Sequence, residues 1–151
     1  MLLRLATAAD IPTMRQLDLA SAFGARWSDA HYEGLFTTAD SLKHLVLVAE
    51  ADRAVIAYLA ASGVGAEWEL ENVIVSPTML RRGIARALIA ELVQRLRAEN
   101  VERVHLEVRE SNTAARGLYV GFGFTQEGRR ALYYRGPDED AIILAFQLAA
   151  K

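Results

Sequence analysis

Three arginines, Arg81, Arg82 and Arg86, crowd the stretch LRRGIARAL at residues 80–88, where the pattern predicts the start of a helix. A helix start carries partial positive charge and normally attracts Asp or Glu, yet no acid follows until Glu91. The first N–H groups of a helix have no partner within it, so they form an anion site, and Gly83 lets a ligand come close to the backbone. A phosphate or pyrophosphate ligand would account for the added cations. Arginines that only project into solvent would leave the same sequence, and this segment alone fits both readings. Neither G-x-x-x-x-G-K-S/T nor G-x-G-x-x-G occurs, so the fingerprints of the P-loop and of the dinucleotide fold are absent.

A second set of reactive side chains lies in VHLEVRESN, residues 104–112. Val104, Leu106 and Val108 make one apolar face of a strand, and His105, Glu107 and Arg109 make the other. A strand in the middle of a small domain should be covered on both faces, so a polar face there implies a cleft. In a cleft Glu107 could accept a proton; on an open surface beside Arg103 or Arg109 it would be an ordinary ion-pairing carboxylate. Tyr119 lies on the stripe Ala114, Ala115, Leu118, Tyr119, Phe122, which also fits a core tyrosine with its hydroxyl at the rim. His31, His44 and His105 show no metal-ligand spacing and read as ordinary histidines. H-E-x-x-H and G-x-S-x-G are absent, and there is no cysteine to act as nucleophile or thiolate ligand. No metal is expected.

The strand EWELENVIV at residues 67–75 changes phase. Trp68 and Leu70 are apolar at even positions, whereas Val73 and Val75 are apolar at odd ones. Side chains alternate along a strand, so a buried face cannot switch parity without an extra residue. The slip predicts a β-bulge at Glu71-Asn72, a feature common beside active sites. Burial of both faces beyond Asn72, with Ile74 keeping the original phase, is the alternative.

The elements that position these residues follow from periodicity. Strands are expected at 2–6, 45–51, 54–62, 67–76, 103–109, 124–133 and 141–148. Asp52-Arg53 reads as a hairpin turn. A helix follows the Thr7–Asp10 capping box and runs to about residue 22. Others are expected at 29–36, 83–100 and 113–120, the clearest being 83–100. This order implies an α+β fold, a mixed, mostly antiparallel sheet with a β-bulge, flanked by helices on both faces. The 151 residues are 52% hydrophobic and 24% charged, with net charge −2, which suits one globular domain over residues 1–151 and gives no broad nucleic-acid footprint. The N-terminal apolar run is too short for a signal peptide and no stretch could span a membrane, so a cytoplasmic protein is expected.

Taken in this order, the segments resemble the GNAT superfamily of acetyl-CoA-dependent N-acetyltransferases. Within it the chain looks like the RimI type, the bacterial ribosomal-protein alanine N-acetyltransferases. NVIVSPTMLRRGIARALI carries the superfamily pattern, while LEVRESNTAARGLYVGFGF, GRRALYY and EDAIIL together carry the finer likeness. The resemblance covers most of the chain and is strongest from Leu70 to Leu144. One position departs. The superfamily's phosphate loop usually reads Gln/Arg-x-x-Gly-x-Gly/Ala, and here Leu80 holds the first place while Gly83 and Ala85 are kept.

The resemblance implies acetyl-CoA as co-substrate, its pyrophosphate held by the amides and arginines of Arg81, Arg82, Gly83, Ile84, Ala85 and Arg86. It implies that Val73, Ile74 and Val75 pair with the pantetheine arm as an added strand would, that the bulge aims the Val73 amide at the thioester carbonyl, and that Asn112 touches the cofactor. One such donor contributes roughly 3 kcal/mol in comparable sites. Glu107 becomes the general base, with Glu69 or Glu71 able to share that role, and Tyr119 the acid that protonates the departing thiolate. A base is required because a peptide α-amine has a pKa of about 8 and is mostly protonated at neutral pH. Tyr133 and Tyr134 match a loop that hydrogen-bonds substrate peptides in related enzymes, and Trp27 and Glu69 are expected in the same groove. The implied acceptor is a protein N-terminus, the N-terminal alanine of a small-subunit ribosomal protein. A small-molecule amine acceptor and a non-catalytic acetyl-CoA sensor are the alternatives.

Overall fold

The computed structural model of the chain describes residues 1–38 and 41–148. Its elements follow the patterns that predict them. A short strand, β1 (Leu2–Leu5), leads through a single turn of 3-10 helix to α1 (Ile11–Ala20). The Thr7–Asp10 capping box closes that turn: the Thr7 amide donates to Asp10 Oδ2 at 2.8 Å. The α-helix proper starts at Ile11, directly after the box, and stops two residues short of the expected end. Ser28 then caps α2 (Asp29–Gly34), accepting from the His31 amide at 3.1 Å. Strands β2 (Lys43–Ala51) and β3 (Ala54–Val64) form the expected hairpin. Asp52 and Arg53 turn it with φ of 52° and 66°, the left-handed pair that a tight two-residue hairpin needs.

The second half contains β4 (Glu67–Val75), α3 (Ile84–Ala98), β5 (Arg103–Arg109), α4 (Thr113–Phe122), β6 (Thr125–Tyr134) and β7 (Glu139–Gln147). Ile84, Leu88, Ile89, Leu92, Val93 and Leu96 form the buried stripe of α3, and Glu91 pairs with Arg95 at 2.7 Å on its outer side. All the strands join in one sheet in the order β1-β2-β3-β4-β5-β7-β6, antiparallel except for the β4–β5 pair.

Helices cover both faces, as the pattern predicts. On one face α3 and α4 pack on Leu59, Trp68, Leu70, Val104, Leu106 and Val108. On the other, Met14 and Leu17 of α1 and Tyr32 of α2 pack on Val46, Val48, Tyr58, Ala60 and Ile74. None of the described helices is long and apolar enough to cross a membrane.

The parity slip in β4 is a bulge. Leu70 pairs with Ala61 and Asn72 with Ala60, so Glu71 is the extra residue. Trp68 and Leu70 lie in the α3-side core; beyond the bulge Val73 and Val75 pack on that side and Ile74 turns to the α1 side.

Candidate active site

The bulge coincides with a split in the sheet. The parallel β4–β5 ladder has only three rungs, Glu67–Arg103, Trp68–Val104 and Glu69–His105. Beyond Glu69 the two strands separate: β5 continues against β7 as far as Arg109–Ala141, and β4 continues against β3 as far as Val75–Ala57. The edge of β4 from Glu71 to Val75 therefore has no partner strand on the β5 side. Main-chain N–H and C=O groups on such an edge can pair with an extended ligand as with an added strand. Val73, Ile74 and Val75 lie on this edge, as expected.

The α1 side of the split is acidic. Glu69 and His105 share the last rung, and Glu107 follows on the same face of β5. The Glu107 side chain is 16% exposed and its Oε2 lies 3.5 Å from Arg130 Nε, an ion-pair contact; that oxygen and His105 Nδ1 are buried without a hydrogen-bond partner among the described residues. A carboxylate oxygen that accepts no hydrogen bond, next to a gap, is available to a proton or an N–H donor from a ligand. The partner of Glu107 is Arg130 on β6, not the Arg103 or Arg109 of its own strand. Burial pushes the Glu69 carboxyl above its ordinary value; His105 opposes this, while the negative charges of Glu71 and Glu107 add to it.

Glu71 faces the same side. It accepts from Ser62 Oγ, and its Oε1 lies 3.4 Å from His31 Nε2. His31 is therefore no ordinary surface histidine: it stacks on Trp27 with ring centroids 4.2 Å apart and touches the bulge. This brings Trp27 to the acidic side of the split. Sequence reading missed His31, Ser62 and Asn72. The only local signal for Asn72 was its position within the parity slip.

On the opposite side, Tyr119 of α4 is buried in the α3-side core and packs on Phe124 at 5.6 Å. Burial holds its phenol well above the ordinary range, with a smaller push from Tyr134, so the ring keeps its proton at neutral pH. Tyr134 rises as well, to about 12, chiefly through burial.

The arginine-rich segment follows β4. Gly83 is the N-cap of α3 at φ 78°, no acidic residue occupies the first turn and no side chain caps it. A Cβ at Gly83 would meet nothing within 4 Å, so there is open space at the N-cap of α3. Ile84 is itself core, which leaves only its backbone for a ligand. Arg81 takes φ 62°, an uncommon conformation for a side-chain-bearing residue. Neither Arg81 nor Arg82 pairs with a carboxylate among the described residues. Arg86 lies over the Phe122 ring at 5.4 Å and donates to the Gly121 carbonyl at 3.5 Å, so it bridges α3 and α4.

Asn112 caps α4, accepting from the Ala115 amide at 3.3 Å, and its amide nitrogen has no partner among the described residues. Tyr133 and Tyr134 lie not on a loop but at the end of β6, where register with β7 is lost between Arg130 and Tyr134 and Leu132 takes φ 49°. Arg130 covers the Tyr133 ring at 5.0 Å and Arg109 covers Tyr134 at 4.4 Å. Arg130 thus joins the tyrosine pair to Glu107.

Comparison with known proteins identifies the family. The pattern of the Acetyltransferase (GNAT) family matches residues 11–124. The [ribosomal protein bS18]-alanine N-acetyltransferase of Salmonella typhimurium is 33% identical over 142 residues, 93% of each chain. That of Haemophilus ducreyi is 34% identical over 119 residues, 77% of this chain and 82% of the other. Among solved structures, the ribosomal-protein-S18-alanine N-acetyltransferase of Escherichia coli superposes with a TM-score of 0.86 at 28% identity, over 99% of this chain and 95% of that one. The chain belongs to the GNAT family of acetyltransferases.

Proposed function

We propose that this acetyltransferase moves the acetyl group of acetyl-CoA to the N-terminal α-amine of a protein, the N-terminal alanine of ribosomal protein bS18. The observation that carries this is the split between β4 and β5 with the bulge at its mouth. It supplies an open backbone edge for the donor, flanked by an acidic face for the amine and a buried phenol on the other side. The relatives that act on bS18 support the acceptor.

The residues present fit the cofactor. The uncapped first turn of α3, the open space at Gly83 and the unpaired Arg81 and Arg82 suit a pyrophosphate. Within the Val73–Val75 edge the outward amides of Val73 and Val75 suit a pantetheine arm, and the amide nitrogen of Asn112 is a further donor. When bound, acetyl-CoA supplies an activated thioester; the chain's own residues do the rest. Val73, just beyond the bulge, presents its N–H to the carbonyl oxygen on which negative charge builds. Glu107 Oε2, which accepts no hydrogen bond from the described residues and has Arg130 Nε as its ion-pair contact at 3.5 Å, takes a proton from the incoming ammonium, directly or through water, and leaves the amine nucleophilic. Glu69, already shifted toward holding a proton, shares that load. Tyr119 keeps its proton through burial and gives it to the departing sulfur. Trp27, Tyr133 and Tyr134 wall the groove through which the acceptor enters. A ribosomal-protein acceptor places the enzyme in the cytoplasm.

The test is a competition between peptides that begin with alanine and a panel of free amines, with acetylated products read by mass spectrometry. Acetyl on the α-amine of the bS18 peptide is expected. Turnover confined to the free amines would replace the ribosomal reading. Cofactor binding with no turnover, unaffected by Glu107→Gln, would identify a sensor instead.

A further inference from the structure

A ring of contacts leaves the bulge at Asn72 and returns to it at Glu71. Asn72 Nδ2 donates to Asp18 Oδ1 on α1 at 3.2 Å and to Tyr58 Oη on β3 at 2.8 Å. The Asp18 side chain is 2% exposed. Both its carboxylate oxygens are committed to the segment that follows α1: Oδ1 accepts from the Ala25 amide and Oδ2 from the Arg26 amide, each at 2.8 Å. The Arg26 guanidinium reaches back to the Asp18 carbonyl and donates to the Ser21 carbonyl at 2.8 Å. A Cβ at Gly24 would fall 2.3 Å from the Asp18 carbonyl oxygen, so the chain passes against α1 too closely for any side chain there. Trp27, the residue after Arg26, stacks on His31 at 4.2 Å, and His31 returns to Glu71 at 3.4 Å.

We infer that Asn72 is a positioning residue whose side-chain amide sets segment 24–28, and with it the Trp27–His31 wall, at a fixed distance from the donor-binding edge of β4. The chemistry requires an amide. Asp18 is a buried acceptor, so its neighbour must donate, and Tyr58 Oη is bonded by the same –NH2 group. One side chain therefore locks two elements to the residue between the bulge and Val73, and spacing between reacting groups is what such a lock controls. This inference rests on the proposal that the Trp27–His31 side receives the acceptor.

Asn72→Ala removes the donor and leaves Asp18 facing the gap; Asn72→Asp keeps the shape but sets a second carboxylate against Asp18. Two readouts on each variant of the full chain separate the inference from general damage. In hydrogen exchange followed by mass spectrometry, the peptide covering residues 21–28 is expected to exchange at least tenfold faster, with α3 and β5 unchanged. In steady-state kinetics with the alanine-starting peptide, the KM for peptide is expected to rise tenfold or more while the KM for acetyl-CoA stays within threefold of wild type. The exchange measurement needs no acceptor, so it stands even if the bS18 assignment fails. If Asn72→Ala does not fold, Asn72→Ser, which is too short to bridge both acceptors, carries the same expectations. Unchanged exchange in residues 21–28, or a uniform loss in kcat and both KM values, would overturn the inference.

Discussion

Glu107→Gln is the sharpest perturbation of the proposed chemistry. The substitution keeps the shape of a side chain that is 16% exposed and whose Oε2 has no hydrogen bond to lose. Arg130 at 3.5 Å loses a partner, but it is half-exposed, so the fold should hold to within about 1 kcal/mol. The catalytic rate at neutral pH should fall ~10²-fold or more. The pH profile makes the prediction specific. An acceptor amine of pKa about 8 is roughly one-tenth neutral at pH 7 and roughly nine-tenths neutral at pH 9. Without its base the variant depends on amine that is already neutral, so it should recover about tenfold between those pH values. The wild type should rise much less over the same range. A second effect runs the other way. The Glu107 charge is one of the influences holding the Glu69 carboxyl above its ordinary value. Its removal lets Glu69 fall back, and the acid limb of the variant's profile should move to lower pH. The assay is single-turnover acetyl transfer at saturating acetyl-CoA across the pH range, with cofactor affinity measured separately. Full activity of Glu107→Gln at pH 7, or a fall with the same pH dependence as wild type, would refute the assignment and move the base to Glu69 or Glu71.

Other outcomes follow from the same geometry. Tyr119→Phe removes a buried hydroxyl that retains its proton; kcat should drop ~10²-fold, with acetyl-CoA affinity by calorimetry unchanged. Arg81→Ala and Arg82→Ala should each weaken acetyl-CoA binding severalfold with kcat nearly constant, and the difference from wild type should shrink as salt is raised, because exposed charges are screened. Gly63→Ala sets a Cβ 2.2 Å from Trp68 Cγ; the ring must move, and thermal melting should show a loss of ~1–3 kcal/mol. Asp10 accepts from Arg4 at 2.9 Å through each oxygen and from the Thr7 amide at 2.8 Å. The Arg4 hydrogen bond chiefly holds its carboxyl below the ordinary value, against the cost of burial. A lowered folded-state pKa means stability that is present above the unfolded value of about 3.9 and lost as pH falls through the folded one. Asp10→Asn should therefore destabilise the protein by about 1–3 kcal/mol at pH 7, and denaturant titrations should show the gap from wild type narrowing below about pH 4.

Much of the fold could be read from the sequence because it rests on local alternation. The parity slip between Leu70 and Val73 located the bulge, since a strand cannot change its buried face in any other way. The strict alternation of Val104, Leu106 and Val108 gave β5 its bounds and placed Glu107 on a polar face. Strand neighbours were not legible. Alternation tells which way a side chain faces but not which strand lies beside it. The insertion of β7 between β5 and β6, and the short parallel β4–β5 ladder that opens the split, are long-range pairings with no local mark. The site shows the same division. Glu69 and Glu107 neighbour each other on the α1 side, Trp27 reaches that side through His31, and Tyr119 is buried in the core on the α3 side. The partners that orient them come from distant positions. Arg130 reaches Glu107 from β6, Asp18 reaches Asn72 across 54 positions, and His31 reaches Glu71 across 40. An Asn in a strand or a His on a short helix reads as a surface residue until the fold supplies its neighbour. Asn112 and Arg86 show the converse: each has a structural task, a helix cap and an interhelical bridge, that the ligand-binding expectation did not include.

The most direct measurement is a crystal structure of the enzyme with coenzyme A and an N-acetylated alanine peptide, the two products held together. The account predicts the pyrophosphate on the amides that open α3, the pantetheine arm along Val73–Val75 in the gap beyond the Glu69–His105 rung, and the acetylated nitrogen on the side of Glu107 with the sulfur on the side of Tyr119. Coenzyme bound away from that gap, or a peptide terminus remote from Glu107, would contradict it.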